Sequence, residues 1–252
     1  MQYQGAGGAL IGTLVMLHTT RAIVLRTIRH GDSSVILKAF TQRSGLRSFV
    51  VRTGAKKGIR MAMLEPLNRL EMVVTENAER DLNNVREIRV LRPYTRIPYD
   101  PIRGTVALFI QEVLYKVLRE ESADDDLYLF VEEALEVMDQ QEDIRHFPIQ
   151  FLLQLSGHLG FLPEPPAQSE DRFDLKEGYF MTGDAPHGHT MGPPLSFALA
   201  RLLTVDRFSP PPIPLPLEQR RQLLDHLLLY YRLHIEGLGE LRSPAVLHQV
   251  LS

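Results

Sequence analysis

The sequence predicts an α+β fold: a five-stranded, partly open β-barrel over residues 17–98, then an all-helical domain over residues 99–252. Three observations carry this. Between Thr20 and Tyr94 the apolar residues fall in short β-branched runs split by glycine and polar turns, whereas from Asp100 onward they recur every three or four residues. The charge divides at the same place: residues 17–99 hold 16 Lys+Arg against 7 Asp+Glu, and residues 100–252 hold 12 against 24. Residues 1–16 carry no charged side chain, so the net charge of −3 conceals a basic half and an acidic half.

The strands follow in order. "TRAIVLRTIRHG" closes on Gly31, and "SSVILKAFT" and "LRSFVVRT" flank the turn "QRSG", where Gly45 supplies the positive φ of a hairpin. A Gly/Lys/Arg loop, "GAKKGIR", leads to "MAMLEPLNRLEMVVT". The polar stretch "ENAERDLNN" separates that from "VREIRVLRPY". Five strands in so short a length suit a barrel of the oligonucleotide-binding (OB) type, which removes exposed sheet edges. Residues 1–16 read as an uncharged extension, possible start Met16, not as a secretory signal, because no Lys or Arg precedes the apolar stretch.

Asp100 caps the first helix with Pro101 behind it, and Val106, Ile110, Val113 and Val117 mark its buried face. A second helix near Leu127–Met138 packs Leu127, Val131, Leu135 and Met138. A third runs from about Pro148 to Leu159 and stops at Gly160. The stretch at about 163–194 reads as an ordered excursion with a short hairpin, held by Phe173, Leu175, Tyr179 and Phe180. A short helix near Ser196–Leu203, the stiff connector "SPPPIPLPL", a long helix at about Leu217–Leu233 and a last helix capped by Ser243 complete the chain.

Most functional classes find no support. The chain has no cysteine, which excludes disulfides, Cys zinc sites and thiol catalysis and fits a reducing cytoplasm. No apolar run reaches the roughly 18–20 residues needed to span a bilayer. No phosphate-binding loop, nucleophile elbow or His-Glu-x-x-His is present, so no catalytic residue and no cofactor are expected. His187 and His189, with His146, His158 and His226, lack metal-ligand spacing, and Asp124–Asp126 lack the pattern of a calcium loop. Solvated loops account for His187, His189 and Asp124–Asp126, the runs that hold His158 and His226 read as core helices, and no metal is expected.

What remains is the basic set Arg26, Arg29, Lys38, Arg43, Arg47, Arg52, Lys56, Lys57 and Arg60. Lys and Arg neutralise phosphates, and the glycines at 54 and 58 let backbone N–H groups approach them. By strand alternation Arg26 shares a face with Val24 and Ile28. Phe40, Phe49 and Tyr94 are candidate stacking surfaces, although Phe40 and Phe49 are expected to fill the barrel. In the helical domain, apolar stripes on the first and third helices flanked by Lys116, Arg119 and Arg145 form a candidate groove for an acidic peptide with an apolar end.

These segments resemble the RecO family over roughly residues 17–252. The opening through "GDSSVILKAFTQRSGLRSFVVRTGAKKGIR", then "LEPLNRLEMVV", "VREIRVLRPY", "FLLQLSGHLGFLPE", "FDLKEGYF" and "YYRLHIEGLGELRSPAVLHQVL" follow that family's order. The resemblance implies an OB domain and a helical domain, and binding of single- and double-stranded DNA with annealing of complementary strands. It also implies work in the cytoplasm, at the nucleoid, with RecR and with the acidic C-terminal tail of single-strand binding protein, to load the RecA recombinase in gap repair. By position it places DNA contacts at Arg52, Lys56, Lys57 and Arg60, then Arg26 and Arg47. Partner contacts are expected at Lys116, Arg119 and Arg145. Many relatives carry a four-cysteine zinc module where this chain has the cysteine-free excursion, so the chain resembles a zinc-free branch.

Three rivals stay open on sequence alone. An RNA-binding OB module would prefer RNA over DNA of one sequence. A protein adaptor would bind no nucleic acid at moderate salt. An enzyme would show turnover with added divalent metal.

Overall fold

The computed structural model describes residues 15–54, 59–77, 81–118, 123–167, 169–183, 185–211 and 214–250. Five strands, β1 (Val15–Arg29), β2 (Ser34–Thr41), β3 (Gly45–Arg52), β4 (Arg69–Asn77) and β5 (Leu82–Val90), close into a barrel in the order β1-β2-β3-β5-β4. All pairs are antiparallel except β3 with β5, which run parallel over Ser48–Val50 and Leu82–Asn84. This is the expected OB-type barrel. The β2–β3 hairpin turns at Gly45, φ +67, and the Thr41 hydroxyl accepts from the Ser44 N–H at 3.1 Å.

β1 takes in Val15 and Met16, which charge alone assigns to the extension; residues 1–14 lie outside the described residues. β4 starts only at Arg69, after a 3₁₀ turn at Met61–Leu64, and β5 starts at Leu82, inside the stretch read as polar spacer.

The barrel interior holds Ala22, Val24, Leu37, Phe49, Leu70 and Met72 among others. The run Ala22–Leu25 is buried throughout because both faces of β1 are covered there. Ile23, Leu25, Phe40 and Leu46 point outward into a second core shared with the helices. Phe40 therefore leaves the barrel, and its ring lies 5.5 Å from that of Tyr128.

The helices are α1 (Pro101–Val117), α2 (Asp125–Gln140), α3 (Phe147–His158), α4 (Leu195–Leu203), α5 (Leu217–His234) and α6 (Ser243–Val250). Asp100 caps α1 through the Ile102 N–H at 2.9 Å, and Asp124 caps α2 through the Leu127 N–H at 2.9 Å. Gly160, φ +86, follows the end of α3 as expected. The excursion forms a three-stranded sheet of β6 (Arg172–Asp174), β7 (Phe180–Met181) and β8 (Thr190–Met191), in the order β7-β6-β8. Phe173, Leu175 and Phe180 are buried as expected, but Tyr179 is 45% exposed. Phe173 packs instead on Tyr230 of α5, with centroids 5.6 Å apart. Among the described residues no helix is long and apolar enough to cross a membrane.

An acidic row on α2 faces the barrel. Glu132 pairs with Arg21, and Glu136 pairs with the buried Arg69 at 2.5 Å. Asp139, one turn further, accepts N–H bonds from Thr95, Arg96 and Ile97 at 2.8, 2.9 and 2.9 Å. Two carboxylates of α2 are thus turned onto the barrel and a third onto the segment that leaves it.

Candidate nucleic-acid interface

The outward face of β1, β2 and β3 is read from the strand register. Arg26 lies opposite Lys38, which lies opposite Ser48; Ile28, Ile36 and Val50 form the next row; Ser34 and Arg52 form the one after. Rows two residues apart are separated by about 7 Å along a strand. Two cationic rows therefore flank an aliphatic one. Arg26 and Arg52 are exposed.

This placement corrects the strand alternation. A bulge between Val24 and Arg26 inserts one residue, so Val24 points into the barrel while Arg26 points out with Ile28. The bulge carries Arg26 onto the outer face. There its guanidinium lies 5.4 Å from the Tyr115 ring centroid, and Lys38 Nζ lies 6.0 Å from the same ring.

An isolated bridge between Gly54 and Ile59 closes the basic loop. It draws the loop's two ends together, so the exposed Arg52 and Arg60 flank its base. Lys56 and Lys57, between them in the sequence, lie outside the described residues.

Arg47 goes elsewhere. Opposite Ala39, it faces the barrel mouth, where its Nε lies 3.4 Å from Glu76 Oε1. Glu76 also accepts from the Ser44 hydroxyl at 3.0 Å and lies 3.3 Å from His18 Nε2. Nor do the three candidate aromatics offer stacking faces. Phe49 fills the barrel, Phe40 packs on α2, and Tyr94 carries Arg69 over its ring at 4.7 Å while its hydroxyl donates to Leu67 O at 2.7 Å. Burial pushes that hydroxyl's pKa up.

His187 Nε2 meets the buried Asp174 at 3.1 Å, which corrects the solvated-loop reading, and His158 stacks on Phe130 at 4.6 Å. Among the described residues no three His, Cys, Asp or Glu side chains form a group that could hold a metal ion.

Residues 16–94 match the family model for the Recombination protein O N terminal, and residues 98–244 match that for the Recombination protein O C terminal. The chain belongs to the RecO family. The DNA repair protein RecO of Porphyromonas gingivalis is 32% identical over 243 residues, covering 92% of this chain and 98% of that protein. The RecO of Flavobacterium psychrophilum is 30% identical over 236 residues, with the same coverage of 92% and 98%. That of Bacteroides fragilis is 28% identical over 241 residues, covering 93% and 99%. This chain is thus a DNA repair protein of the RecO type, and its barrel and helical portions correspond to the two parts of that family.

In the helical part of this RecO chain, Lys116 and Arg145 do not share a groove. Lys116 ties down the chain beyond α5, donating to Leu238 O at 3.2 Å and Glu240 O at 2.5 Å, and Arg119 lies outside the described residues. Arg145 borders a narrow cleft of about 10 Å³ between α3, α5 and α6, lined by Pro148, Ile149, Leu217, Leu224 and Leu247. Arg220, Arg221 and His248 also line it, the buried Arg220 donating to Leu215 O at 2.8 Å and Arg221 to His248 O at 2.6 Å. The "QRRQLL" run of α5 carries this signal in the sequence, two arginines beside helically spaced leucines, and the reading above passed over it. Arg145 also forks onto Asp143 at 2.6 Å, and that bond holds the Asp143 carboxyl down at about 2.

Proposed function

We propose that this RecO chain is a non-enzymatic recombination mediator. It binds single- and double-stranded DNA on the barrel and brings complementary strands together by neutralising their phosphates. Its helical domain meets protein partners, RecR and single-strand binding protein, so that the recombinase is loaded at gaps. It works in the cytoplasm on nucleoid DNA and consumes no nucleotide. The reading is carried by the outward cations of one sheet face, Arg26, Lys38 and Arg52, beside a basic loop flanked by Arg60. The acidic row of α2 points away from that face, into the Arg21 and Arg69 pairs. We assign DNA contacts to Arg26, Arg52, Lys56, Lys57 and Arg60, and leave Arg47 to the barrel mouth. We assign the acidic tail of single-strand binding protein to the surface around the exposed Arg145, at the edge of that cleft.

The test is fluorescence anisotropy with labelled single-stranded DNA across a salt series, wild type beside Lys56→Glu, Lys57→Glu. About four phosphate contacts predict a log–log salt slope of roughly −3. Binding lost in the variant supports the barrel footprint. Binding kept by the variant moves the footprint elsewhere, and no wild-type binding at low salt ends the DNA reading.

A further inference from the structure

The link between α2 and α3 is short and anchored at both ends. The buried Arg103 donates to Gln141 O at 2.6 Å and to Glu142 O at 3.3 Å, and Ile144 is buried. Asp143 and Arg145, on either side of Ile144, are turned to solvent, their side chains 45% and 56% exposed.

These two side chains close on each other. Arg145 Nε donates to Asp143 Oδ1 at 2.9 Å and Nη2 donates to Oδ2 at 2.6 Å, while the Arg145 backbone N–H reaches Oδ1 at 2.9 Å. An exposed ion pair of this kind adds little to the stability of a fold. Its effect on a ligand is of another kind. With a carboxylate on the Nε edge of the guanidinium the pair carries no net charge, so an incoming anion meets Asp143 as well as Arg145. The anion also competes with a carboxylate tethered two residues away, whose effective concentration is high. Mild acid does not release the pair, because the Arg145 bonds hold the Asp143 carboxyl down at about 2. The charges of Arg145, Asp143 and Arg221 all act on Arg220, so Asp143 sets one negative charge among three arginines. Asp225, further along α5, is taken up by His248 at 3.0 Å.

We propose that Asp143 is a built-in competitor for the acidic ligand of this surface: it occupies the Arg145 fork and limits how tightly an acidic peptide with an apolar end is held. The proposal rests on the partner reading above and adds the residue that keeps that contact reversible.

The test is fluorescence anisotropy of the full chain at low salt, with a labelled peptide of consecutive aspartates closed by two leucines. Asp143→Asn keeps an acceptor for the Arg145 N–H and removes the charge. It should bind the peptide about fivefold more tightly than wild type, the size of one exposed ion pair, and the gain should shrink as salt rises. Asp143→Ser, which also removes the charge, should give the same gain. A damaged fold does not tighten binding, and a thermal melt checks each variant. Arg145→Gln should bind weakly, and adding Asp143→Asn to it should recover no more than about twofold. Folded Asp143 variants that bind no tighter than wild type, while Arg145→Gln binds weakly, overturn the competitor and leave the partner surface standing. So does a gain of full size that persists without Arg145, which would be general charge repulsion. Arg145→Gln that binds as wild type does, or wild type that does not bind the peptide, overturns the partner surface and the competitor with it.

Discussion

Arg47 Nε lies 3.4 Å from Glu76 Oε1, across the mouth of the barrel and not on its outer face. Ser44 and His18 meet the same carboxylate, so Arg47 belongs to a polar plug. Arg47→Ala should therefore lower the unfolding free energy by about 1–2 kcal/mol, since Glu76 loses its cation in a partly buried site. Its DNA affinity should fall less than threefold, against about tenfold for Arg26→Ala or Arg52→Ala. Urea melts and DNA titrations of the three variants separate the roles. Equal DNA losses in all three would return Arg47 to the footprint.

Asp139 fixes the segment that leaves the barrel. It accepts from three successive N–H groups, the Thr95 hydroxyl at 2.9 Å and Gln140 Nε2 at 2.8 Å. Burial pushes its pKa up, but the bonds from Thr95, Ile97 and Arg96 outweigh burial and the net shift is downward. A depressed carboxylate contributes stability above its unfolded pKa, near 3.9, and loses it as pH falls through the folded value. Asp139→Asn should lower stability by about 2–3 kcal/mol at neutral pH. The difference from wild type should shrink below about pH 4. Denaturant melts at pH 7 and pH 3.5 read this directly, and a difference independent of pH would refute the charge argument.

Local chemistry made much of this fold legible. Asp100 and Asp124 are caps because a carboxylate before an apolar-periodic run has free N–H groups to bind, and Gly45 is a turn because its φ of +67 suits glycine. The errors come from tertiary context. One inserted residue at the β1 bulge reverses the facing of Arg26 relative to Val24, and alternation cannot see it. Phe40 reads as barrel filling because it sits in an apolar run, but the run is apolar on both faces to meet the helices as well. The pairing of Arg21 and Arg69 with carboxylates of α2, 111 and 67 residues away, is likewise set by tertiary context and left no mark in the sequence. The cleft beside Arg145 needs α3, α5 and α6 assembled before its arginines share one rim.

The surface around Arg145, at the edge of that cleft, should hold a short acidic peptide ending in an apolar residue. Arg145 is 56% exposed, so reversing its charge leaves the helix packing intact. Arg145→Glu should weaken a labelled peptide of this kind by about tenfold or more, because it places a like charge against the ligand. Wild-type binding should also fall as salt rises. A variant that binds the peptide as wild type does would place the tail elsewhere.

His146 makes the same region sensitive to acid. Its buried Nε2 accepts the Leu215 N–H at 3.1 Å, which requires a neutral imidazole. Burial lowers its pKa, and the nearby charge of Arg220 lowers it further. As pH drops below about 6.5, the unfolded chain takes up a proton that the folded chain refuses. The unfolded state is favoured, and stability declines with a limiting slope of about 1.4 kcal/mol per pH unit until the folded value is reached. His146→Gln keeps an acceptor for Leu215 but cannot titrate. Urea melts of both proteins at pH 7, 6 and 5.5 should show wild type losing stability relative to the variant across that interval. Parallel curves would mean that His146 already carries its proton in the folded protein, and that the Leu215 N–H has another acceptor.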